Sequence, residues 1–274
     1  MSEESRRSDY GVLEREQLDD EVAVHAERIR VAGYSVIADA FSAEDIAELG
    51  ARLDSVLQQQ VTEFGGTGNI AAIGDAGTAR CLLAYDDEFL RPATHPIILR
   101  LCRLLLGEYI VLMQQNGVSN PPVDAHTQAR YHRDLPYQHF TSSRPLAVSA
   151  LLCLDPFTRE TGATTLIPGS HRVERFPSDQ VAAALDTTIE AQPGSYIVFD
   201  SMLFHRAGTN RSARNRRGVN HVFSIPLIAQ QVSIPAVLGG RYSDDRELAP
   251  LLGYGAGSAS SVLAWREQRL ARLK

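Results

Sequence analysis

The sequence predicts a mainly β protein, a double sheet or jelly roll that carries helices at both ends of the chain. From residue 109 onward, short apolar runs alternate with turns, and their number and brevity favour an antiparallel core over βαβ units. Helical apolar spacing occurs before this region and in the final segment. The predicted core covers about residues 109–228. Its strands are residues 109–118, 127–134, 146–154, 163–167, 188–191, 195–199, 203–207 and 216–226.

The segment before the core predicts three helices and one strand. Apolar residues at helical spacing mark residues 18–31, a stripe that ends at Gly33. Residues 34–37 form a short apolar run, which predicts a strand. Residues 43–60 follow a sequence that resembles a capping box, and residues 96–106 begin with proline, as many helices do.

Loops and shorter helices account for the rest of the chain. Residues 65–77 contain five glycines and little periodicity, which predicts a loop of the length often used as a lid or a binding element. A helix near residues 178–185 interrupts the strands. The tail after residue 228 reads as loops, followed by a helix around residues 260–273.

Composition places the chain among ordinary globular proteins. Hydrophobic residues make up 44% and charged residues 22%, which allows a sizeable core. The net charge is −6, and no long block of like charge predicts a nucleic-acid or membrane surface. Because we find no internal repeat and no linker, we expect one domain over residues 1–274, with residues 1–17 flexible.

The three cysteines predict a reducing environment. Their number is odd, their spacings are wide and no CxxC pair occurs, so we expect free thiols. The first thirty residues lack the apolar stretch of a secretory signal, and no apolar run reaches the length of a membrane span. We therefore expect a cytoplasmic protein that has neither a membrane nor a nucleic acid as partner.

A histidine and an aspartate two residues apart predict a metal site. His132 and Asp134 would project from one face of the predicted strand 127–134. A third ligand should come from another strand, and His205 follows a strand and a tight turn. Two imidazoles and one carboxylate leave three positions open, which is the facial triad of non-haem Fe(II) oxygenases.

An arginine after the third ligand predicts a co-substrate clamp. Sites of this class take electrons from a 2-keto acid, whose distal carboxylate suits the planar, permanently charged guanidinium group. Arg216 lies eleven residues after His205, far enough for a turn and an adjacent strand. Arg217 is a rival for this role, and Arg211 and Arg214 are rivals that a solvated turn would explain equally well.

These motifs together resemble a known family. In order they are His132-Arg133-Asp134, the run Gly162 to His171 that ends in Pro168-Gly169-Ser170-His171, then His205, and then Asn210-Arg211-Ser212 followed by Arg216. The chain resembles the phytanoyl-CoA dioxygenase family of Fe(II)/2-oxoglutarate oxygenases over roughly residues 30–228. The resemblance implies a double-stranded β-helix, or cupin-like, core. It also implies that Fe(II) is bound by His132, Asp134 and His205, that Arg216 binds 2-oxoglutarate, and that His171 anchors a structural turn.

Further contacts follow from strand alternation and from the resemblance. Residues expected at the 2-oxoglutarate site are Asn116 and Gln128. Residues expected to contact substrate are Arg130, which would share the face of His132, and His139, in the loop 135–144. Residues expected to line the same pocket are Ser149 and Leu151.

The expected activity is oxidation, most simply hydroxylation, of a small organic metabolite by O2, with decarboxylation of 2-oxoglutarate to succinate and CO2. Asp134 occupies the position where related halogenases carry a small residue, so we expect oxidation and not halogenation. Two alternatives stay open: a non-catalytic or differently metallated jelly roll that binds a small molecule, and an oxygenase that acts on an acyl thioester. The oligomeric state is left open.

Overall fold

The computed structural model describes residues 17–122, 127–135 and 137–271. Within these ranges the strands are β1 Tyr34–Ile37, β2 Thr78–Arg80, β3 Val111–Asn120, β4 Ala147–Cys153, β5 Thr164–Leu166, β6 Thr187–Thr188, β7 Tyr196–Asp200, β8 His205–Ala207 and β9 Arg216–Ser224. They form a six-stranded sheet in the order β1-β7-β4-β9-β3-β2 and a three-stranded sheet in the order β6-β5-β8. All pairs are antiparallel, which confirms the predicted double sheet.

Helices lie mainly before and after the β core. They are α1 Glu21–Ala32, α2 Ala43–Glu63, α3 Thr67–Ala72, α4 Leu90–Ala93, α5 Pro96–Leu106, α6 Asp179–Leu185, α7 Ile234–Leu238, α8 Leu248–Leu252 and α9 Val262–Ala271. The predicted capping box exists: the Ser42 hydroxyl accepts from the Asp45 backbone N–H, and the Asp45 carboxylate accepts in return. None of the described helices is long and apolar enough to cross a membrane.

Side-chain alternation on β4 separates two cores. Ala150 and Leu152 point outward and join a large apolar cluster with residues of α1, α2 and α5. Leu151 and Cys153 point inward and pack in a second cluster, which includes Leu166 of the smaller sheet. The helices therefore cover the outer face of the six-stranded sheet, and the inner face meets the three-stranded sheet.

The prediction of a strand over residues 127–134 is wrong. This stretch forms a 3₁₀ turn at Thr127–Ala129 and then a single β-bridge between His132 and His205. Beyond the bridge, the Asp134 N–H donates to the Ser201 carbonyl at 2.9 Å. The segment thus follows the edge of the turn before β8 and does not pair along a strand.

Two regions expected to be loops contain short helices. Gly65 and Gly66 adopt positive φ values of 82° and 106°, which ends α2 and allows α3 to start within residues 65–77. In the tail, α7 and α8 bury Ile234, Leu238 and Leu252 against the main apolar cluster. Each helix is too short to give a clear periodic pattern. The predicted flexibility of residues 1–17 concerns residues that, except for Gln17, lie outside the described ranges.

Candidate active site

Three side chains converge between the two sheets. The donor atoms of His132, Asp134 and His205 all lie within 4.8 Å of one another. Asp134 Oδ1 is 3.4 Å from His205 Nε2 and 4.0 Å from His132 Nε2. The backbones of the two histidines exchange hydrogen bonds of 3.0 and 3.1 Å, which fixes the distance between their side chains. The sequence-predicted triad is therefore assembled.

Backbone carbonyls orient both imidazoles. His132 Nδ1 lies 2.9 Å from the Arg130 carbonyl oxygen, and His205 Nδ1 lies 2.9 Å from that of Leu203. A carbonyl only accepts, so each Nδ1 carries the proton and each Nε2 presents its lone pair to the centre. Burial lowers the pKa of His132, and the adjacent His205 lowers it further, which favours the neutral, metal-binding form.

Two neighbours hold the Asp134 carboxylate in place. Ser149 on β4 donates to Oδ2 at 2.6 Å, and Asn220 on β9 donates to the same oxygen at 3.0 Å. Oδ1 is thus left facing the imidazoles. Burial alone would raise the pKa of Asp134, but His205, His132 and the hydroxyl of Ser149 together hold it below its ordinary value. Burial alone would lower the pKa of His205, but the adjacent Asp134 raises it above its ordinary value. One carboxylate and two imidazoles form a donor set that suits Fe(II).

Arg216 is a buried cation in the cavity beside the triad. Its side chain is 3% exposed, its guanidinium carbon lies 4.2 Å from the ring centre of Phe157, and its Nε finds no acceptor within the described residues. Burial lowers the pKa of Arg216 to about 10, so the group is still charged at neutral pH. A buried donor of this kind is satisfied by an anionic oxygen ligand.

The rival arginines lie elsewhere. Arg217 points to the opposite face of β9, where it donates to Asp155 at 2.9 Å and to Asp54 at 2.7 Å. Arg211 and Arg214 are exposed in the turn before β9. Of the four candidates, Arg216 is therefore the one whose guanidinium lines the cavity.

The cavity has a volume of about 230 Å³. Residues predicted at the site that line it are Asn116, Gln128 and Leu151. Its other walls are mainly polar towards the β2 edge, where Arg80 donates to Gln231 at 3.3 Å, and apolar at Val118 and Phe199. The remaining lining residues are Thr78, Gln114, Arg133, Thr164, Arg206, Ala207 and Asn220.

Two predicted substrate contacts are not brought into this cavity. The side chains of Arg130 and His139 are exposed and do not line it. The alternation argument for Arg130 fails because residues 127–134 do not form a strand; its carbonyl, not its guanidinium, serves the site by orienting His132. Ser149 does not line the cavity either, since its hydroxyl lies behind Asp134.

His171 lies at a structural turn, as the resemblance implies. It is buried against the end of α1, where a Cβ at Gly33 would come within 2.7 Å of its Nδ1. The Gly169 N–H donates to the Ala32 carbonyl at 2.8 Å. The turn therefore joins the smaller sheet to α1 and contributes no ligand to the triad.

Among the site residues missed from the sequence are Asn220 and Arg133. Asn220 could have been found, because it lies four residues after Arg216 on a strand and hence on the same face. Arg133 lies between two predicted ligands, and no pattern in the sequence predicts its long-range contacts.

Comparisons with known proteins agree with this architecture. The family model described as phytanoyl-CoA dioxygenase matches residues 29–218. The uncharacterised protein Rv1501 of Mycobacterium tuberculosis is 32% identical over 216 residues, which cover 77% of this chain and 78% of that protein. The dioxygenase olcK of Penicillium canescens is 35% identical over 147 residues, which cover 50% of this chain and 46% of that protein.

Solved structures of similar fold include two with 2-oxoglutarate bound. EctD from S. alaskensis, with 2-oxoglutarate and 5-hydroxyectoine, superposes with a TM-score of 0.65 at 23% identity, covering 78% of this chain and 80% of that one. The epimerase SnoN, in complex with Fe3+, alpha-ketoglutarate and nogalamycin RO, superposes with a TM-score of 0.59 at 22% identity. The match covers 79% of this chain and 88% of that one. At these identities the likeness shows a shared fold.

Proposed function

Because the chain belongs to the phytanoyl-CoA dioxygenase family, we propose that it hydroxylates a small organic metabolite and converts 2-oxoglutarate to succinate and CO2. As a member of this family it is a non-haem iron, 2-oxoglutarate-dependent oxygenase that uses Fe(II) and O2. In our proposal the iron ligands are His132, Asp134 and His205, and Arg216 binds the far carboxylate of 2-oxoglutarate.

The observation that carries the proposal is the pairing of a complete ligand triad with a buried cation that forms no ion pair within the described residues. The triad supplies the nitrogen and oxygen donors that Fe(II) takes in such enzymes, and when bound the iron supplies oxygen activation. Arg216, with its Nε unsatisfied within the described residues, supplies the fixed charge that an entering dicarboxylate would meet.

The remaining residues of the site bind, orient and exclude water. Ser149 and Asn220 hold one oxygen of Asp134 so that the other faces the imidazoles. Leu151 and Phe199 provide apolar walls that keep water away from the reacting centre. Asn116 and Gln128, which line the same cavity, are proposed as further 2-oxoglutarate contacts.

The cavity of about 230 Å³ contains both the triad and Arg216, and we propose that a small organic substrate reaches the metal through it. The solved structures of similar fold were determined with 5-hydroxyectoine and with nogalamycin RO. Contacts through His139 and Arg130 stay predictions, although neither side chain lines the cavity. A cytoplasmic location and a single domain over residues 1–274 also stay predictions.

The test is anaerobic addition of Fe(II) and 2-oxoglutarate to the metal-free protein. We expect a weak visible charge-transfer band, because 2-oxoglutarate chelates iron that the triad holds. His132→Ala should abolish the band, and His139→Ala, outside the cavity, should leave it unchanged. The proposal fails if the wild type shows no band or if His132→Ala retains it, and the differently metallated alternative would then be preferred.

A further inference from the structure

Arg133 lies between two of the proposed iron ligands and is itself buried. Its side chain is 3% exposed, and its guanidinium carbon lies 3.9 Å from the ring centre of Phe204, the residue before His205. Its Nε donates to the Met202 carbonyl at 2.7 Å. Arg133 therefore ties the segment that carries His132 and Asp134 to the turn that precedes the third ligand.

The two terminal nitrogens of Arg133 reach two further loops. Nη2 donates to the carbonyls of Ser170, at 3.1 Å, and Val173. Nη1 donates to the carbonyl of Glu174 at 3.2 Å. It also donates to the carbonyls of Gln138 and Phe140, the latter at 3.3 Å. The group thus joins three separate parts of the chain at one point.

The chemistry of the acceptors explains why a guanidinium occupies this position. Every acceptor just named is a neutral backbone carbonyl, and within the described residues no carboxylate accepts from Arg133. A planar group with five N–H donors can serve these six carbonyls when one N–H of Nη1 is shared between two of them, whereas a lysine has three donors on one nitrogen. Burying a charge without partners is unfavourable, so the guanidinium group of Arg133 is stable in this position only when these hydrogen bonds form together.

The loop that follows Asp134 also forms hydrogen bonds with the main chain of Arg133. The Arg133 N–H donates to Gln138 Oε1 at 2.9 Å. Gln138 Nε2 donates back to the carbonyls of Arg133 and Leu135 at 3.1 and 2.7 Å. The backbone that presents His132 and Asp134 is therefore fixed from both sides of the Arg133 side chain.

We propose that Arg133 is a positioning residue for the iron site, which holds the His132–Asp134 segment in register with His205 and orders the loop at residues 137–140. The inference rests on the proposed function, since it concerns the same three ligands. Arg133 touches no reacting atom; it acts through the ligands on either side of it.

The test measures Co(II) binding to the metal-free protein by calorimetry, together with amide hydrogen exchange. Arg133→Lys and Arg133→Met are compared with Arg172→Met. Arg172 lies in the turn Ser170–Arg172, which contains the Ser170 carbonyl that accepts from Arg133. It is exposed and donates to the Arg30 carbonyl at 2.8 Å. We expect Arg133→Met to weaken Co(II) binding roughly 10- to 100-fold, as loss of a residue that orients metal ligands commonly does. We expect faster exchange at residues 137–140 and 170–174, and wild-type behaviour from Arg172→Met.

A purely structural role would lower the melting temperature and leave the Co(II) affinity of the folded variant unchanged, and that result would overturn the proposal. If Arg133→Met does not fold, Arg133→Lys decides, because it keeps the charge and loses the planar donors. An affinity of Arg133→Lys within twofold of wild type overturns the proposal. His132→Ala separates the two ideas: if it binds Co(II) as tightly as wild type, the iron site itself is wrong.

Discussion

Arg216 and Arg217 are neighbours on β9, yet their side chains lie on opposite faces of the six-stranded sheet. Arg217 lies on the outer face, where Asp155 and Asp54 accept its hydrogen bonds. Arg216 lies on the inner face, buried, with its Nε unsatisfied within the described residues. The hydrogen bonds of Arg217 are made within the chain, whereas in our proposal those of Arg216 are completed by an anionic ligand.

The two faces also differ in most of their other contacts. Most of the outer face is apolar and covered by helices, so a change there alters the free energy of unfolding. The inner face carries the triad and polar side chains around a cavity, next to a second apolar cluster, so a change at the cavity alters binding.

The largest effect should come from the triad. Asp134→Ala removes a proposed iron ligand, and we expect Fe(II)-dependent succinate release from 2-oxoglutarate to fall about a thousandfold, or about 4 kcal/mol. Asp155→Ala, which removes a carboxylate from the outer face, is the matched control and should keep activity within a few-fold. Comparable losses in both variants would abolish the distinction between the faces.

A change in the outer core should affect stability alone. Leu53 on α2 is fully buried against Gly117 of β3. Leu53→Ala should lower the free energy of unfolding by about 3 kcal/mol, because it leaves a cavity in a packed cluster. Urea unfolding measures this loss. The KM for 2-oxoglutarate should not change, and a tenfold rise in it would contradict the proposed separation.

The two neighbouring arginines offer the sharpest comparison. Arg216→Met should raise the KM for 2-oxoglutarate roughly 100-fold, or about 2.7 kcal/mol, because a charged carboxylate clamp is lost. Iron binding should be spared. Arg217→Met should leave this KM unchanged and lower stability by less than about 1 kcal/mol, since its ion pairs are partly exposed. The reverse pattern would transfer the co-substrate role to Arg217.

Asp200 is a buried carboxyl group outside the site, and its titration should affect the free energy of unfolding. Burial raises the pKa of this carboxyl to about 6, although the Met202 N–H and the charges of Arg172 and Arg133 act in the opposite direction. The folded state then binds a proton more tightly than the unfolded chain. Asp200 thus contributes stability below about pH 4 that is lost as the pH rises through 6.

Asp200→Asn should remove this loss of stability at higher pH. At pH 7 we expect the variant to be about 2 kcal/mol more stable than wild type in urea unfolding of the metal-free protein, with a difference that shrinks towards pH 4. An equal difference at both pH values would show that Asp200 does not titrate in this range. Asp200 can become neutral when buried, whereas Arg216 keeps its charge, which sharpens the contrast between the two groups.

The sequence was informative where chemistry is local. The double sheet was predicted from the apolar runs, and His132, Asp134, His205 and Arg216 from spacing and residue type. The structure brings these four residues together, and their individual roles stay predictions for the experiments above.

The sequence was uninformative where the outcome depends on distant backbone atoms. Residues 127–134 have the apolar and polar content of a strand, but they follow the turn before β8, to which the Arg133 side chain and the Asp134 N–H attach them. No local pattern records the acceptor positions at Met202 and Ser201. For the same reason Arg130 was assigned to the wrong side of its segment.

The double hydrogen bond between the His132 and His205 backbones has a consequence for the order of assembly. His205 begins a strand of the smaller sheet, while Asp134 is held by Ser149 and Asn220 of the larger one. The three ligands therefore meet only after both sheets have formed and closed on each other, so a nascent or half-folded chain should have no competent iron centre. Because the three ligands come together only in the native state, bound metal should stabilise that state by mass action. Oxygen chemistry at the proposed iron site would thereby be confined to molecules that have finished folding.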